Sequence, residues 1–113
     1  MQARRTIHKS STSLEEAKRD LLVGESPATR ANAARVLGAI GKHQVIAYLI
    51  AALSDSAAQV RRAAVEGLAE IGDSAAIEPL KALLLRETKN EVPETVIQHA
   101  IYSIAMLEAR RRP

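Results

Sequence analysis

One stretch of this sequence occurs twice, almost unchanged. Residues 32–42 read NAARVLGAIGK, and residues 63–73, which lie 31 positions later, read AAVEGLAEIGD. The same shift aligns apolar residues and turn glycines: Leu37 with Leu68, Ile40 with Ile71, Gly41 with Gly72, Ile46 with Ile77, Leu49 with Leu80 and Leu53 with Leu84. A further shift of 36, which allows for five inserted residues, places Val60, Ala64, Leu68 and Ile71 on Val96, Ala100, Ile104 and Leu107. Self-similarity at this period predicts units that bury their apolar faces by stacking on one another.

Helix start and stop signals predict six helices, at about 14–23, 27–40, 44–53, 57–71, 74–87 and 93–110. The expected N-caps are Ser13 in a capping box with Glu16, Ser26 before Pro27, Ser56 with Gln59, and Asp73 or Ser74. Gly24, Gly41 and Gly72 are expected to end helices, and Gly38 and Gly67 to let neighbouring helices approach closely. No segment shows strand alternation. The predicted fold is therefore all-α, a short right-handed α-solenoid of stacked helical hairpins with about six helices.

Charge divides the chain into a body and two basic ends. Six of the 16 Lys and Arg residues lie outside 13–109, whereas all 13 Asp and Glu residues lie inside it, so that segment has a net charge of 10 − 13 = −3. We expect a basic N-terminal tail at 1–12, a repeat domain at 13–110 and a basic tail at 111–113. Within the domain we expect a half-repeat at 13–23, repeats at 24–53 and 54–87, and a terminal helix at 93–110.

The second repeat carries a family resemblance. Residues 55–84, DSAAQVRRAAVEGLAEIGDSAAIEPLKALL, resemble the HEAT-like repeat named after phycobilisome lyases, with a loop Asp, Val-Arg at the start of the first helix, Leu-x-x-Ile-Gly-Asp and then Ala-Ile-x-x-Leu. A weaker copy spans 24–53, and 93–110 matches the first helix of another. The resemblance implies a curved binding scaffold, and some members of the family handle bilin chromophores on phycobiliproteins.

No residue pattern supports catalysis or a cofactor. The chain has no Cys, which excludes thiolate metal sites and Cys nucleophiles. His8, His43 and His99 are more than thirty residues apart and lack metal-ligand spacing, and no Ser lies in a Gly-x-Ser-x-Gly elbow. The repeated glycines end helices rather than follow strands, which disfavours a phosphate loop. We therefore expect no enzyme activity, no metal and no cofactor.

Arginines recur at one repeat position. Arg30 and Arg61 are equivalent under the 31-residue shift, and Asp55 and Asp73 lie in nearby turns. These four residues are expected to form a ladder of ion pairs and carbonyl contacts between successive hairpins. Anion binding by the same arginines is the alternative.

The helix surfaces supply candidate partner-binding residues. On the second helices of the hairpins the polar phase includes Gln44, Tyr48, Ala51, Glu78 and Lys81, with Tyr48 as a possible contact anchor. The terminal helix carries Ile97, Ile101, Tyr102 and Met106 in addition to its core phase. Because this apolar surface is wider than one neighbouring hairpin needs, we expect the helix to pair with its copy in a homodimer or to dock on a partner.

These features favour a non-enzymatic scaffold or adaptor that binds a protein partner of unknown identity. One alternative is binding of nucleic acid or another acidic surface through the Arg-rich tails, although the body is net negative and the sequence has only two aromatic residues, both Tyr. An accessory role in a bilin lyase-like system is a second alternative and rests on the resemblance. The longest apolar run, 45–53, is too short to cross a bilayer, so no membrane association and a cytoplasmic location are expected.

Overall fold

The computed structural model describes residues 13–111, and these form six α-helices without a strand. The helices are α1 (Leu14–Val23), α2 (Pro27–Ile40), α3 (Ile46–Ala52), α4 (Ala58–Ile71), α5 (Ile77–Arg86) and α6 (Glu94–Arg111). Short 3₁₀ turns, His43–Val45 and Ser74–Ala76, precede α3 and α5. The predicted all-α architecture is confirmed. The predicted tail at 1–12 and residues 112–113 lie outside the described residues.

Most helix ends are explained by capping side chains or by glycines. Ser13 accepts a hydrogen bond from the backbone N–H of Glu16 at 3.2 Å, and Ser26 accepts one from Thr29 at 3.1 Å. Asp73 caps the second 3₁₀ turn by accepting the N–H of Ala75 at 2.8 Å. Gly41 and Gly72 end α2 and α4 with φ of 70° and 74°, the left-handed conformation that a Cβ disfavours.

One predicted N-cap is wrong, and one helix-ending glycine has a conformation other than the expected left-handed one. Ser56 does not cap α4: its N-cap is Ala57, and Asp55 accepts the N–H of Ala57 at 2.9 Å instead. The Asp55 carboxylate thus holds the turn before α4, and no side-chain hydrogen bond caps the helix itself. Gly24 ends α1 with φ of −59°, so it does not use the left-handed conformation that only a glycine adopts readily.

The helices form two layers. The first helices of the hairpins, α2, α4 and α6, lie side by side, with α2 and α4 in contact along much of their length. In the other layer, direct contacts between the second helices are few. Each of α1, α3 and α5 packs mainly on the first helix that follows it in the chain, namely α2, α4 and α6. Every hairpin is thus tied to its successor, as stacking of repeats requires.

Two glycines set the distance between α2 and α4. A Cβ on Gly38 would lie 2.6 Å from the Cα of Gly67, closer than non-bonded carbons can approach. Only a residue without a side chain allows the two backbones to meet here. The close approach predicted for Gly38 and Gly67 is therefore confirmed.

The buried side chains follow the repeat. Leu37, Leu68 and Ile104 occupy equivalent positions on the three first helices, and all three are buried. Leu49 and Leu80 are the corresponding buried pair on α3 and α5. Together with many alanines, these residues form one continuous core, so the core register predicted from the 31-residue shift is confirmed at these positions.

Helix α1 is the first helix of the described stack. Leu22 is equivalent to Leu53 under the 31-residue shift, yet Leu22 is 64% exposed and Leu53 only 2%. Among the described residues, no first helix precedes α1, so its outer side has no hairpin partner. Lys18, at the position of the buried Leu49 and Leu80, is half-buried and gives this end a polar side chain.

The position of Ile97 differs from the one expected on the terminal helix. It was expected on the exposed apolar surface, but its exposure is 0%. Helix α6 packs against α5, α4 and the turn Ser74–Ala76 together, so its buried face is wider than one neighbour would require. The residue at the repeat position of Arg61 therefore lies in the core on α6 and cannot contact a partner.

Candidate functional site

The first arginine of the ladder joins α2 to the turn before α4. Arg30 Nε and Nη2 donate to the two carboxylate oxygens of Asp55 at 2.9 and 3.1 Å. Its Nη1 donates to the carbonyl oxygen of Gly24, six residues earlier, at 3.0 Å. The hydrogen bond from Arg30 lowers the pKa of Asp55, and the N–H of Ala57 lowers it further.

Arg61 repeats this arrangement with different acids. Its Nε and Nη2 donate to Glu87 at 3.0 and 2.8 Å, and Nη2 also donates to Glu91 at 3.0 Å. Its Nη1 donates to the carbonyl oxygens of Asp55 and Ser56 at 2.9 and 3.1 Å. The hydrogen bond from Arg61 lowers the pKa of Glu87, whose side chain is 6% exposed.

The ladder therefore differs from the one predicted. Asp73 does not pair with Arg61; its carboxylate lies 2.7 Å from Nδ1 of His43, and this contact joins two successive turns. The sequence contained a signal for Glu87, because Arg61 and Glu87 are 26 residues apart and Arg30 and Asp55 are 25 apart. Glu91 lies in the segment that carries the insertion, where repeat spacing gives no guide.

These contacts decide what Arg61 can do chemically. A guanidinium has five N–H donors, and all five of those on Arg61 are directed at acceptors within the chain. An open depression of about 510 Å³ beside it also contains Arg86, which donates to the carbonyl of Leu53 at 3.2 Å. Arg61 is therefore engaged in holding hairpins together and has no N–H donor left for an anion.

The described residues hold no cluster of three or more His, Cys, Asp or Glu side chains that could bind a metal. His43 and His99 lie in the first 3₁₀ turn and in α6, and His8 lies outside the described residues. None of the helices between residues 13 and 111 is long and apolar enough to span a membrane.

The predicted residues on the second helices lie at the surface. Gln44, Ala51, Glu78 and Lys81 are exposed. Lys81 lies 3.4 Å from Glu78, and Tyr48 is half-buried, with the Lys18 ammonium 5.2 Å from its ring centroid. This cation–π contact ties α1 to α3 and accounts for part of the Tyr48 surface.

A groove between α4 and α6 was not foreseen from the sequence. It has a volume of about 310 Å³, and Val65, Ala69, Val96 and Ala100 supply its apolar residues. Its polar residues are Arg62 and Glu66 on α4 and Thr95 and His99 on α6. Arg62 and Glu66 form an exposed ion pair at 3.1 Å.

Beyond the groove, the C-terminal ends of α4 and α6 are in close contact. A Cβ on Gly72 would lie 2.7 Å from Leu107, and Arg111 donates to the carbonyl of Gly72 at 3.2 Å. Those contacts join the C-terminal ends of the two helices. Ser103 stands on α6 where α4 has Gly67, so the glycine contact that closes α2 on α4 has no counterpart here.

The predicted residues of α6 divide into three groups. Ile97 is buried, Ile101 is half-buried against the core, and Tyr102 and Met106 are exposed. The exposed pair borders a second depression of about 470 Å³, which also includes His99, Ser103, Leu107 and Arg110. His99 borders both this depression and the α4–α6 groove.

Comparison with known families agrees with this architecture. A family model described as HEAT repeats matches residues 16–105. No curated protein matches the chain. The phycobilisome-lyase subtype of the repeat stays a prediction, because the match is to HEAT repeats in general. Since the matched segment covers most of the sequence and its helices stack hairpin on hairpin, the chain belongs to the HEAT-repeat family.

Proposed function

We propose that this protein is a non-enzymatic scaffold that binds a helical segment of a partner protein in the groove between α4 and α6. The groove itself carries the proposal, because it combines an apolar floor with a polar rim, the composition of the core and edge of protein interfaces. HEAT repeats commonly mediate protein–protein interaction, and stacked hairpins offer extended surfaces for it.

The size and shape of the groove favour a helix as its occupant. Its volume of about 310 Å³ is at the small end of ligand pockets, which run from about 300 to 1,000 Å³. It suits apolar side chains that project from one face of an amphipathic helix, as in helix-in-groove recognition. Residues of α4 and α6 form the two walls of the groove, between which such side chains can insert.

Other functions predicted from the sequence have less support. Residues 13–111 carry 16 − 4 = 12 Lys and Arg, after subtraction of Arg4, Arg5, Lys9 and Arg112, against 13 Asp and Glu. This balance does not favour nucleic-acid binding by the folded body, so that alternative rests on tails that lie mostly outside the described residues. The bilin lyase-like role and the cytoplasmic location also stay predictions.

An Ala69→Glu variant tests the groove directly. It places a carboxylate among the apolar residues of α4, and the cost of desolvating that charge should weaken partner binding at least about tenfold. Ala39→Glu is the matched control, because Ala39 is exposed on α2 and its repeat equivalent on α4 is already Glu70. Circular dichroism and thermal melts should show that both variants are folded.

Binding is measured by capture from source lysate after nuclease treatment, at low and high salt. Proteins captured by the wild type and by Ala39→Glu, but lost with Ala69→Glu, support the groove. Because the chain has no Cys, Thr95→Cys can carry a single environment-sensitive dye beside it, which should respond when a purified captured protein is added. Equal capture by Ala69→Glu, or a dye that does not respond, would overturn the proposed site.

A further inference from the structure

Between Glu94 and Arg110, the outer face of α6 lacks charged residues. Six exposed residues form this face: Gln98, His99, Tyr102, Ala105, Met106 and Ala109. Their spacing of three and four residues puts them on one side of the helix. Tyr102 is 64% exposed and Met106 41% exposed, so the most exposed large apolar side chains of α6 lie together here.

The equivalent face of α4 is charged. The 36-residue shift aligns Gln98 with Arg62, Tyr102 with Glu66, Met106 with Glu70 and Ala109 with Asp73. Three of these charged residues lie on α4 and are exposed, and the fourth, Asp73, lies in the turn that follows it. At all four positions α6 presents an uncharged side chain. Both helices are first helices of a hairpin, so repeat architecture does not explain the difference. Adjoining apolar residues on a surface are typical of an interaction site.

We propose that the outer face of α6 is a homodimer interface, in which α6 packs antiparallel to α6 of a second copy with the two-fold axis near Tyr102. A two-fold interface brings a surface patch against itself. A patch with charge of one sign would repel its own copy, whereas the outer face of α6 contains no Asp, Glu, Lys or Arg. It can therefore meet itself without like-charge repulsion.

The charges at the helix ends favour the antiparallel arrangement. Glu94 lies in the first turn of α6, and Arg110 and Arg111 lie in the last. Antiparallel packing brings the acidic end of each helix near the basic end of the other and opposes the two helix dipoles. Parallel packing would bring the arginine-bearing ends together.

The surface beside the outer face gives the second copy a place to pack. The depression of about 470 Å³ runs along the same side of α6 as Tyr102 and Met106. With Tyr102 of each copy near the axis, Met106 of each lies to one side of it and can pack at the partner's depression. A single helix pair buries little area, so we expect a weak and reversible dimer of the small class, below about 1,200 Å².

The Tyr102→Glu, Met106→Glu double variant tests this interface. It gives α6 the residues that α4 carries at the same repeat positions, both of which are exposed, so the fold should be retained. Leu85→Glu is the matched control, because Leu85 is an apolar residue on α5 that is 83% exposed. Sedimentation equilibrium over a wide range of protein concentration measures the association.

We expect the wild type and Leu85→Glu to pass from monomer to dimer with rising concentration. The double variant should dissociate at least about tenfold more readily. A wild type that stays monomeric throughout, or a double variant that dimerises as well as the wild type, would overturn the proposal. Neither result would bear on the α4–α6 groove, whose test uses a different variant and a different readout.

Single cysteines test the orientation. Tyr102→Cys should form an intermolecular disulfide under mild oxidation, because the two copies of residue 102 lie near the axis. Thr95→Cys should not, since seven residues on each side of the axis at 1.5 Å per residue separate its two copies by roughly 21 Å. Rapid cross-linking through Thr95→Cys, or none through Tyr102→Cys, would contradict the antiparallel arrangement.

Discussion

The contact between α2 and α4 and the contact between α4 and α6 join equivalent helices in different ways. The first is closed by Gly38 against Gly67 and lies within the regular 31-residue spacing. The second follows an insertion, has Ser103 in place of a glycine, and leaves a groove of about 310 Å³. One sequence unit can therefore make a sealed repeat boundary or an open one, depending on a single small residue and on the length of the preceding loop.

The largest expected effect tests whether the two contacts are equally well packed. Leu68→Ala, in the core of α4, should cost about 2–5 kcal/mol of unfolding free energy. Ile104→Ala, at the equivalent position of α6, should cost less, because the groove at Ala100, one helical turn away, gives α6 room to move inward and shrink the cavity. Urea unfolding of both variants measures the difference. A larger loss for Ile104→Ala would mean that the α4–α6 contact is the better packed.

Arg61→Met should lower the free energy of unfolding by about 3 kcal/mol, because it leaves the buried carboxylate of Glu87 without its charge partner. Arg62→Met is the control on the same helix. Its ion pair with Glu66 is exposed, so its loss should cost no more than about 0.5 kcal/mol. Similar melting temperatures for the two variants would show that the Arg61 contacts contribute little to stability.

Acid should lower the stability that the Arg30–Asp55 and Arg61–Glu87 contacts provide. The pKa values of Asp55 and Glu87 are lower in the folded chain than in the unfolded one, because arginine hydrogen bonds favour the charged form. This stabilisation is complete above the unfolded pKa values, near pH 4, and is lost as pH falls through the folded values. Urea unfolding between pH 7 and pH 2 should show the decline, and an Asp55→Asn, Glu87→Gln double variant should show a shallower one.

Gly38→Ala should destabilise the protein, although a Gly→Ala substitution in a helix usually stabilises it. In an exposed helix interior it stabilises by about 1 kcal/mol, but here the new methyl group meets the Gly67 backbone, and we expect a loss of roughly 1–3 kcal/mol. Ser103→Ala, in the open contact, should change stability by less than about 0.5 kcal/mol. A stabilised Gly38→Ala variant would show that α2 and α4 can separate without cost.

The sequence correctly predicted the features that depend on neighbouring residues or on the internal repeat. The repeat period, the helices, the left-handed turns at Gly41 and Gly72 and the approach of Gly38 to Gly67 all follow from residues close in sequence or from internal alignment. The burial of Ile97 and the pairing of Arg61 with Glu91 do not. Both depend on how the five-residue insertion orients α6 against three neighbours at once, and that orientation has no counterpart elsewhere in the chain to compare with.

The same limit applies to the candidate surfaces. The apolar character of Tyr102 and Met106 was readable from the sequence, but the α4–α6 groove was not, because it arises from the separation between two helices. On the second helices, the sequence indicated exposed residues but not the contact of Tyr48 with Lys18, which depends on how α1 packs beside α3.

The contacts of Arg30 and Arg61 determine how such a chain can gain repeats. Arg30 and Arg61 each bind a carbonyl six residues back and a carboxylate about one unit ahead, so each link needs only its own hairpin and the next. Duplicating residues 55–85 in frame would add a complete link of the same kind, with its own glycine turn, and would leave the flanking links as they are. The chain can therefore gain whole repeats of 31 residues without a change in its existing contacts between hairpins. A gain or loss of any other length would have to be accommodated in a loop, as the insertion before α6 is.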